Sequence, residues 1–122
     1  MGGKECGCGG EVKIVYACSG GSDIGNIADA SARLLSREGC AKMSCLSGVG
    51  AGLSGYVASA SGADRVLVID GCPTDCGKKV MEKAGVSKFA HLRLTDLGFE
   101  KGKSPATVEN IGKACEAAKK LL

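Results

Sequence analysis

Apolar residues along the chain form short continuous runs, and these alternate with stretches in which apolar residues follow helical spacing. The runs predict four β-strands, at residues 12–17, 41–46, 65–70 and 89–94. The spaced stretches predict four helices, which begin near Ser22, within residues 50–62, near Pro73 and at Ser104. The predicted order along the chain is therefore β-α-β-α-β-α-β-α.

Strict alternation of strands and helices is typical of an α/β protein, with a parallel sheet covered by helices on both faces. The strands at 12–17 and 65–70 are the most continuously apolar, so we expect them in the centre and the other two at the edges. Right-handed crossovers then give a three-layer α/β/α fold whose four-stranded, mostly parallel sheet has strand order 2-1-3-4. Sites in such sheets lie at the carboxyl ends of the strands, at the switch point between the first and third strands.

The length of 122 residues fits one domain, and the composition of the first eleven residues differs from that of the rest. Residues 1–11 are rich in glycine and polar residues and predict a flexible tail that carries Cys6 and Cys8. Residues 12–122 form the single predicted domain. The chain has no apolar run long enough for a membrane span, and its start lacks the apolar core of a secretory signal. We therefore expect a cytoplasmic protein with no membrane partner.

Charge gives little indication of a nucleic-acid partner. The net charge is +3, from 16 Lys and Arg against 13 Asp and Glu, and the basic residues are scattered. Only two Tyr and two Phe are present, whereas a nucleic-acid groove usually combines a basic stripe with stacking aromatic residues. We therefore do not expect nucleic acid to bind.

The chain has eight cysteines, and four of them fall at one edge of the predicted sheet. Cys18 and Cys72 follow the first and third strands, Cys45 ends the second, and Cys76 is predicted one helical turn beyond Cys72 on the same helix face. Neighbouring strands lie about 4.8 Å apart, so four side chains from these positions can reach one metal ion. Helix N-termini near Ser22 and Pro73 favour thiolates at this edge. The remaining cysteines carry weaker signals: Cys115 is predicted to fill the core, and roles for Cys6, Cys8 and Cys40 stay open.

Three motifs resemble those of the DGC-domain family, which takes its name from an Asp-Gly-Cys motif. They are CSGG at 18–21, CLSGVG at 45–50 and IDGCP at 69–73, the last followed by Cys76. The resemblance extends over nearly the whole chain from Val12. The family is described as zinc-binding, which implies zinc as the cofactor and four ligands here, at Cys18, Cys45, Cys72 and Cys76. The resemblance implies a metal site and supplies no reaction.

Other functions use the same cysteines and stay open. Four cysteines also suit a [2Fe–2S] cluster that passes electrons to an unknown protein partner. A thiol redox enzyme is a third hypothesis, with Cys72 at a helix start as the attacking thiol. A phosphatase is disfavoured because the CSGG loop has no arginine before Arg33 to hold a phosphoryl group. The single histidine, His91, is predicted to lie on the exposed face of the fourth strand, which disfavours a Cys–His catalytic pair.

Overall fold

The computed structural model describes residues 10–122, so Cys6, Cys8 and most of the predicted tail lie outside the described residues. Within residues 10–122 no helix combines the length and the apolar character needed to cross a bilayer. The elements follow in chain order: β1 Lys13–Ala17, α1 Asp23–Arg37, β2 Lys42–Met43, α2 Leu46–Gly50, α3 Ser54–Gly62, β3 Arg65–Asp70, α4 Cys76–Lys83, β4 Ala90–Arg93, a 3-10 turn Leu94–Leu97, and α5 Val108–Lys119.

The four strands form one parallel sheet in the order β2-β1-β3-β4, as predicted. β1 and β3 occupy the centre and pair over the full length of β1, from Lys13 opposite Arg65 to Ala17 opposite Ile69. Their nearly continuous apolar sequences suit strands that are covered on both faces. β1 and β3 therefore bring the residues that follow them, including Cys18, to one edge of the sheet.

Helices cover both faces of the sheet and give the predicted three layers. α1 and α5 pack on one face, over a core that includes Val15, Leu67 and Ile69 of the central strands. α2, α3 and α4 pack on the other face, over Ile14, Tyr16, Val66 and Val68. Alternate residues of each central strand therefore belong to opposite cores, which is the period of a β-strand.

The second strand is shorter than predicted, and the helix predicted within residues 50–62 is divided. β2 is confined to Lys42–Met43, because Cys45 serves as the N-cap of α2 in an extended conformation. The two short helices α2 and α3 are separated at Gly52, whose φ of 72° is readily adopted by glycine and interrupts the helical backbone.

Two helices begin later than their prolines indicate. α5 begins at Val108, because the Thr107 side chain accepts a hydrogen bond from the Asn110 N–H and caps it. The Ser104 hydroxyl, predicted as this cap, instead accepts from the Glu100 N–H. α4 begins at Cys76 rather than near Pro73, because Asp75 has a left-handed backbone with φ of 54°.

Candidate functional site

Three of the four predicted ligands surround one cavity at the carboxyl edge of the sheet. Cys18 follows β1, Cys45 precedes α2 and Cys76 begins α4, and all three line a cavity of about 920 Å³. Cys45 and Cys76 are exposed, whereas Cys18 is half-buried. Thiols of this kind are a donor set that suits zinc, so the residues present fit the metal that the sequence predicts.

Cys72 is placed differently from the other three thiols. It lies in the turn between β3 and α4, where the Asp75 N–H donates to its carbonyl oxygen at 3.1 Å, and it does not line the cavity. The prediction that Cys72 and Cys76 share a helix face is wrong, because Asp75 breaks the backbone between them and only Cys76 is helical. The joint action of the four cysteines as ligands stays a prediction.

The thiols differ in how readily they lose a proton. Burial raises the pKa of Cys18, and hydrogen bonds from the backbone at Gly20 and Gly71 offset only part of that effect. The pKa of Cys72 is lowered, first by its hydrogen bond with the Thr74 hydroxyl at 3.4 Å and then by the Thr74 backbone. Cys72 therefore becomes a thiolate more readily than Cys18 does.

Asp70, the aspartate of the Asp-Gly-Cys motif, anchors the start of α4. Its buried carboxylate accepts hydrogen bonds from the Gly77 N–H at 2.7 Å and the Lys78 N–H at 3.0 Å. A negative charge at a helix N-terminus also interacts favourably with the helix dipole. Because Cys76 immediately precedes Gly77, Asp70 fixes the position from which the Cys76 thiol enters the cavity.

His91 belongs to this network, and its predicted exposure is wrong. Its side chain is only 18% exposed, and its Nε2 lies 2.8 Å from the Asp70 carboxylate. β4 pairs with β3 so that His91 lies opposite Val68 and Arg93 opposite Asp70, which brings the basic side chains of β4 onto the acidic end of β3. Among residues 10–122, the group of ligand-type side chains whose donor atoms all lie within 4.8 Å of one another is Asp70, Asp75 and His91.

The Asp75 carboxylate is paired with the Arg93 guanidinium. Arg93 donates two hydrogen bonds to this carboxylate, from Nε at 2.8 Å and from an η-nitrogen at 2.5 Å. This pairing lowers the pKa of the Asp75 carboxyl. The same guanidinium contacts Asp96 at 3.3 Å. The Asp75 carboxylate therefore stabilises its own left-handed turn and is already engaged, which disfavours Asp75 as a substitute metal ligand.

Backbone conformations of higher energy adjoin two of the predicted ligands. Between residues 10 and 122, the non-glycine residues with positive φ are Ser19, at 52°, and Asp75, at 54°, next to Cys18 and Cys76 respectively. The Ser19 hydroxyl donates to Asp29 of α1 at 2.8 Å, which also binds Arg33 at 2.7 Å. Positive φ is costly for residues other than glycine and often occurs at functional sites. Side-chain contacts therefore hold both turns in place.

The sequence does not single out Tyr16, because its strand is a simple apolar run. Tyr16 is fully buried, and its hydroxyl lies near the Ser44 side chain without a well-aligned hydrogen bond to any of residues 10–122. Burial raises the pKa of Tyr16 most strongly; the Ser44 side chain opposes this effect, and the Cys45 thiolate adds to it. A polar group in an apolar strand beside a cysteine is the one signal that the sequence offered.

The other cysteines of the described chain lie in the core on the α1 and α5 side of the sheet. Cys115 is buried in α5, as predicted, and burial raises its pKa to about 11. Cys40, which follows α1, is also buried. Cys6 and Cys8 lie outside the described residues. Cys18 and Cys72 pack against this same core, whereas Cys45 and Cys76 are exposed.

Comparison with known proteins agrees with the motifs at this edge. The family model of the DGC domain matches residues 14–118, which include all four predicted ligands and Asp70. The chain is 36% identical over 104 residues to the Anaerobic and virulence modulator AnvM of Pseudomonas aeruginosa, covering 85% of this chain and 73% of the relative. No solved structure is significantly similar to it. The chain belongs to the DGC-domain family.

Proposed function

We propose that this protein is a metal-binding regulator that holds one zinc ion through Cys18, Cys45, Cys72 and Cys76. The observation that carries the proposal is the cavity at the carboxyl edge of the sheet, whose lining includes Cys18, Cys45 and Cys76. Cys72 follows β3 by two residues, at the same edge of the sheet, and would have to turn toward the cavity to bind the same metal. Thiolates are ligands that zinc prefers.

The residues around the cavity support the binding of a thiolate-rich centre. Four thiolates exceed the charge of a divalent cation by two; Arg37 of α1 lines the same cavity and offsets part of that charge, whereas Arg33 is already paired with Asp29. A thiol must lose its proton to bind zinc, and the raised pKa of Cys18 makes that loss harder at a given pH. Zinc affinity should therefore fall as the pH falls.

A regulatory role agrees better with these residues than catalysis does. With four thiolate ligands a bound zinc is coordinatively closed, so it supplies structure or a binding signal rather than an activated water. His91, the single histidine, is engaged with Asp70 and pairs with no thiol of residues 10–122. The relative AnvM is named as a modulator, which supports the same interpretation.

Metal analysis tests the proposal directly. Protein made in zinc-supplemented medium should contain about one zinc per chain, no iron and no visible absorption. Cys45→Ser and Cys76→Ser should each lower the zinc content, whereas Cys115→Ser, a matched change in the core, should retain it. A folded wild-type protein that binds no zinc would contradict the proposal. Iron with visible absorption bands would instead support the [2Fe–2S] alternative.

A second candidate function, thiol redox chemistry, is favoured by one observation, the lowered pKa of Cys72 beside Thr74. A thiol with a lowered pKa is a thiolate for a larger fraction of the time, and the thiolate is the form that attacks disulfides. Thiol labelling separates the two functions. Four thiols that react only after a chelator is added indicate a metal site, whereas one thiol that reacts rapidly without a chelator indicates redox chemistry.

A further inference from the structure

Cys40 differs from the other cysteines of the described chain in the state of its sulfur. Cys40 is disulfide-bonded. The cysteines of residues 10–122 with free thiols are Cys18, Cys45, Cys72, Cys76 and Cys115. The partner of Cys40 therefore lies outside residues 10–122, where the sequence has two further cysteines, Cys6 and Cys8. These two form a C-x-C pair that the proposed metal site does not use.

The fold fixes Cys40 at the amino edge of the sheet, where the strands begin. Cys40 lies two residues before Lys42, which begins β2 and pairs with Ile14 of β1. Its N–H donates to the Leu35 carbonyl at 2.9 Å, so the last turn of α1 holds its backbone in place. The predicted metal ligands lie at the carboxyl edge, so Cys40 belongs to a different part of the molecule.

The start of the described chain lies beside Cys40. Residues 11–13 line a cavity of about 410 Å³ together with Cys40, and the Val12 N–H is anchored there by a hydrogen bond to the Asp64 carboxylate at 2.7 Å. Cys8 precedes Val12 by four residues, which span at most about 14 Å. Neighbouring strands lie about 4.8 Å apart, and a disulfide needs a Cα separation of about 4.4–6.8 Å. Both cysteines of the C-x-C pair are therefore within reach of Cys40.

We propose that Cys40 and one cysteine of the C-x-C pair, Cys6 or Cys8, form a reversible redox site that takes a low-molecular-weight disulfide as oxidant. The thiolate of the pair attacks this oxidant, forms a mixed disulfide and releases one small thiol. The Cys40 thiolate then attacks the pair's sulfur in the mixed disulfide and releases the second small thiol. Two cysteine thiols are thereby oxidised to one disulfide, and their protons and electrons pass to the two small thiols.

The expected location of the protein favours a reversible bond over a permanent cross-link. We expect a cytoplasmic protein, and disulfides in that compartment are usually transient and redox-sensing. When formed, the bond ties the first residues of the chain across the amino edge of the sheet. It closes a long loop, which restricts the unfolded chain and so stabilises the folded one. The site is independent of the proposed function, because it uses none of the four predicted metal ligands.

Peptide mapping tests the pairing directly. Cleavage after Lys and Arg puts the C-x-C pair in peptide 5–13 and Cys40 in peptide 38–42, and neither peptide contains any other cysteine. The full chain is reduced, equilibrated with glutathione disulfide in EDTA, alkylated, digested without a reductant and analysed by mass spectrometry. Peptides 5–13 and 38–42 should be linked in the monomer, and excess reduced glutathione should separate them before alkylation.

Urea denaturation in EDTA measures the effect of the bond on stability. In glutathione disulfide, the wild-type midpoint should exceed that of the double variant Cys6→Ser/Cys8→Ser by about 1 M. In excess reduced glutathione the two midpoints should coincide, because the double variant leaves the core unchanged. Cys115→Ser is the matched control, since Cys115 is buried in the same core as Cys40. It should keep the linked peptides.

Four outcomes would overturn the proposal. The first is linkage of peptide 38–42 to a peptide other than 5–13, and the second is a bond between Cys6 and Cys8 themselves. The third is linkage found between two copies of the chain and absent from the monomer. The fourth is an oxidised wild-type midpoint equal to that of the oxidised double variant. A bond that resists excess reduced glutathione in the folded protein would refute its reversibility.

Discussion

Replacing Gly77 by alanine should destabilise the protein, although the same change in a helix usually stabilises. Alanine in place of a helical glycine ordinarily gains about 0.5–1 kcal/mol. Here a Cβ would lie 2.7 Å from Cγ1 of Val68 and 3.0 Å from Oδ1 of Asp70. Overpacking of this kind costs about 1–3 kcal/mol, and displacing Asp70 weakens charged hydrogen bonds worth about 1.5–3 kcal/mol each. We expect a net loss of about 2–4 kcal/mol in the free energy of unfolding.

Urea denaturation in EDTA measures this loss without a contribution from bound metal. The Gly77→Ala midpoint should fall by about 1–2 M. Gly112→Ala is the matched control, because Gly112 lies within α5 and its Cβ would meet no neighbouring group of residues 10–122 within 4 Å. That variant should gain about 0.5–1 kcal/mol. If both variants raised the midpoint, the close approach of α4 to Asp70 would be refuted.

Three further predictions concern the same edge of the sheet. The Asp75 carboxyl has a pKa lowered by Arg93, so its stabilising effect is present above the unfolded value near 3.9 and is lost as the pH falls through the lower folded value. Asp75→Asn, which tolerates the left-handed backbone, should therefore melt below wild type at pH 7 and approach it in acid; a difference that stays constant down to pH 2 would contradict this. In chelator-treated protein near pH 7.5, iodoacetamide should label Cys72 well before Cys115, as followed by peptide mass spectrometry, and equal rates would be contrary evidence. Gly25→Ala would drive a Cβ into the backbone of the loop between β1 and α1, so chemical denaturation should reveal a loss of about 3 kcal/mol, and a stability equal to wild type would be inconsistent with that contact.

The strand order of the sheet was predictable because the apolar content of each strand reflects how many of its faces are covered. Residues 65–70 are apolar almost throughout, and only a central strand covered on both faces needs that. The length of β2 was not predictable in the same way. The Ser44 N–H still bonds to β1, while the next residue, Cys45, already serves as the N-cap of α2. The polarity of a residue does not show whether it ends a strand or caps a helix.

The positions of the site residues were predictable from strand ends, and their contacts were not. Cys18 and Cys45 follow β1 and β2, and in a parallel sheet the residues that follow neighbouring strands lie at the same edge. His91 was misplaced because alternation assigns a residue to a face without saying what else lies on that face. Here the Asp70 carboxylate, on the neighbouring strand β3, is hydrogen-bonded to the imidazole, which is therefore mostly buried. The left-handed turn at Asp75 was equally hidden, since most aspartates have negative φ and glycine is the usual sequence signal of positive φ.

The two edges of the sheet offer little backbone to a neighbouring molecule. β2 contains two residues, one of them the exposed Lys42, and β4 contains four, with Arg93 held against Asp75. Long, flat, uncharged edge strands are templates for strand addition between chains, whereas short and charged edges discourage it. Concentrated solutions of this protein should therefore resist growth of β-rich aggregates for as long as the native sheet is intact.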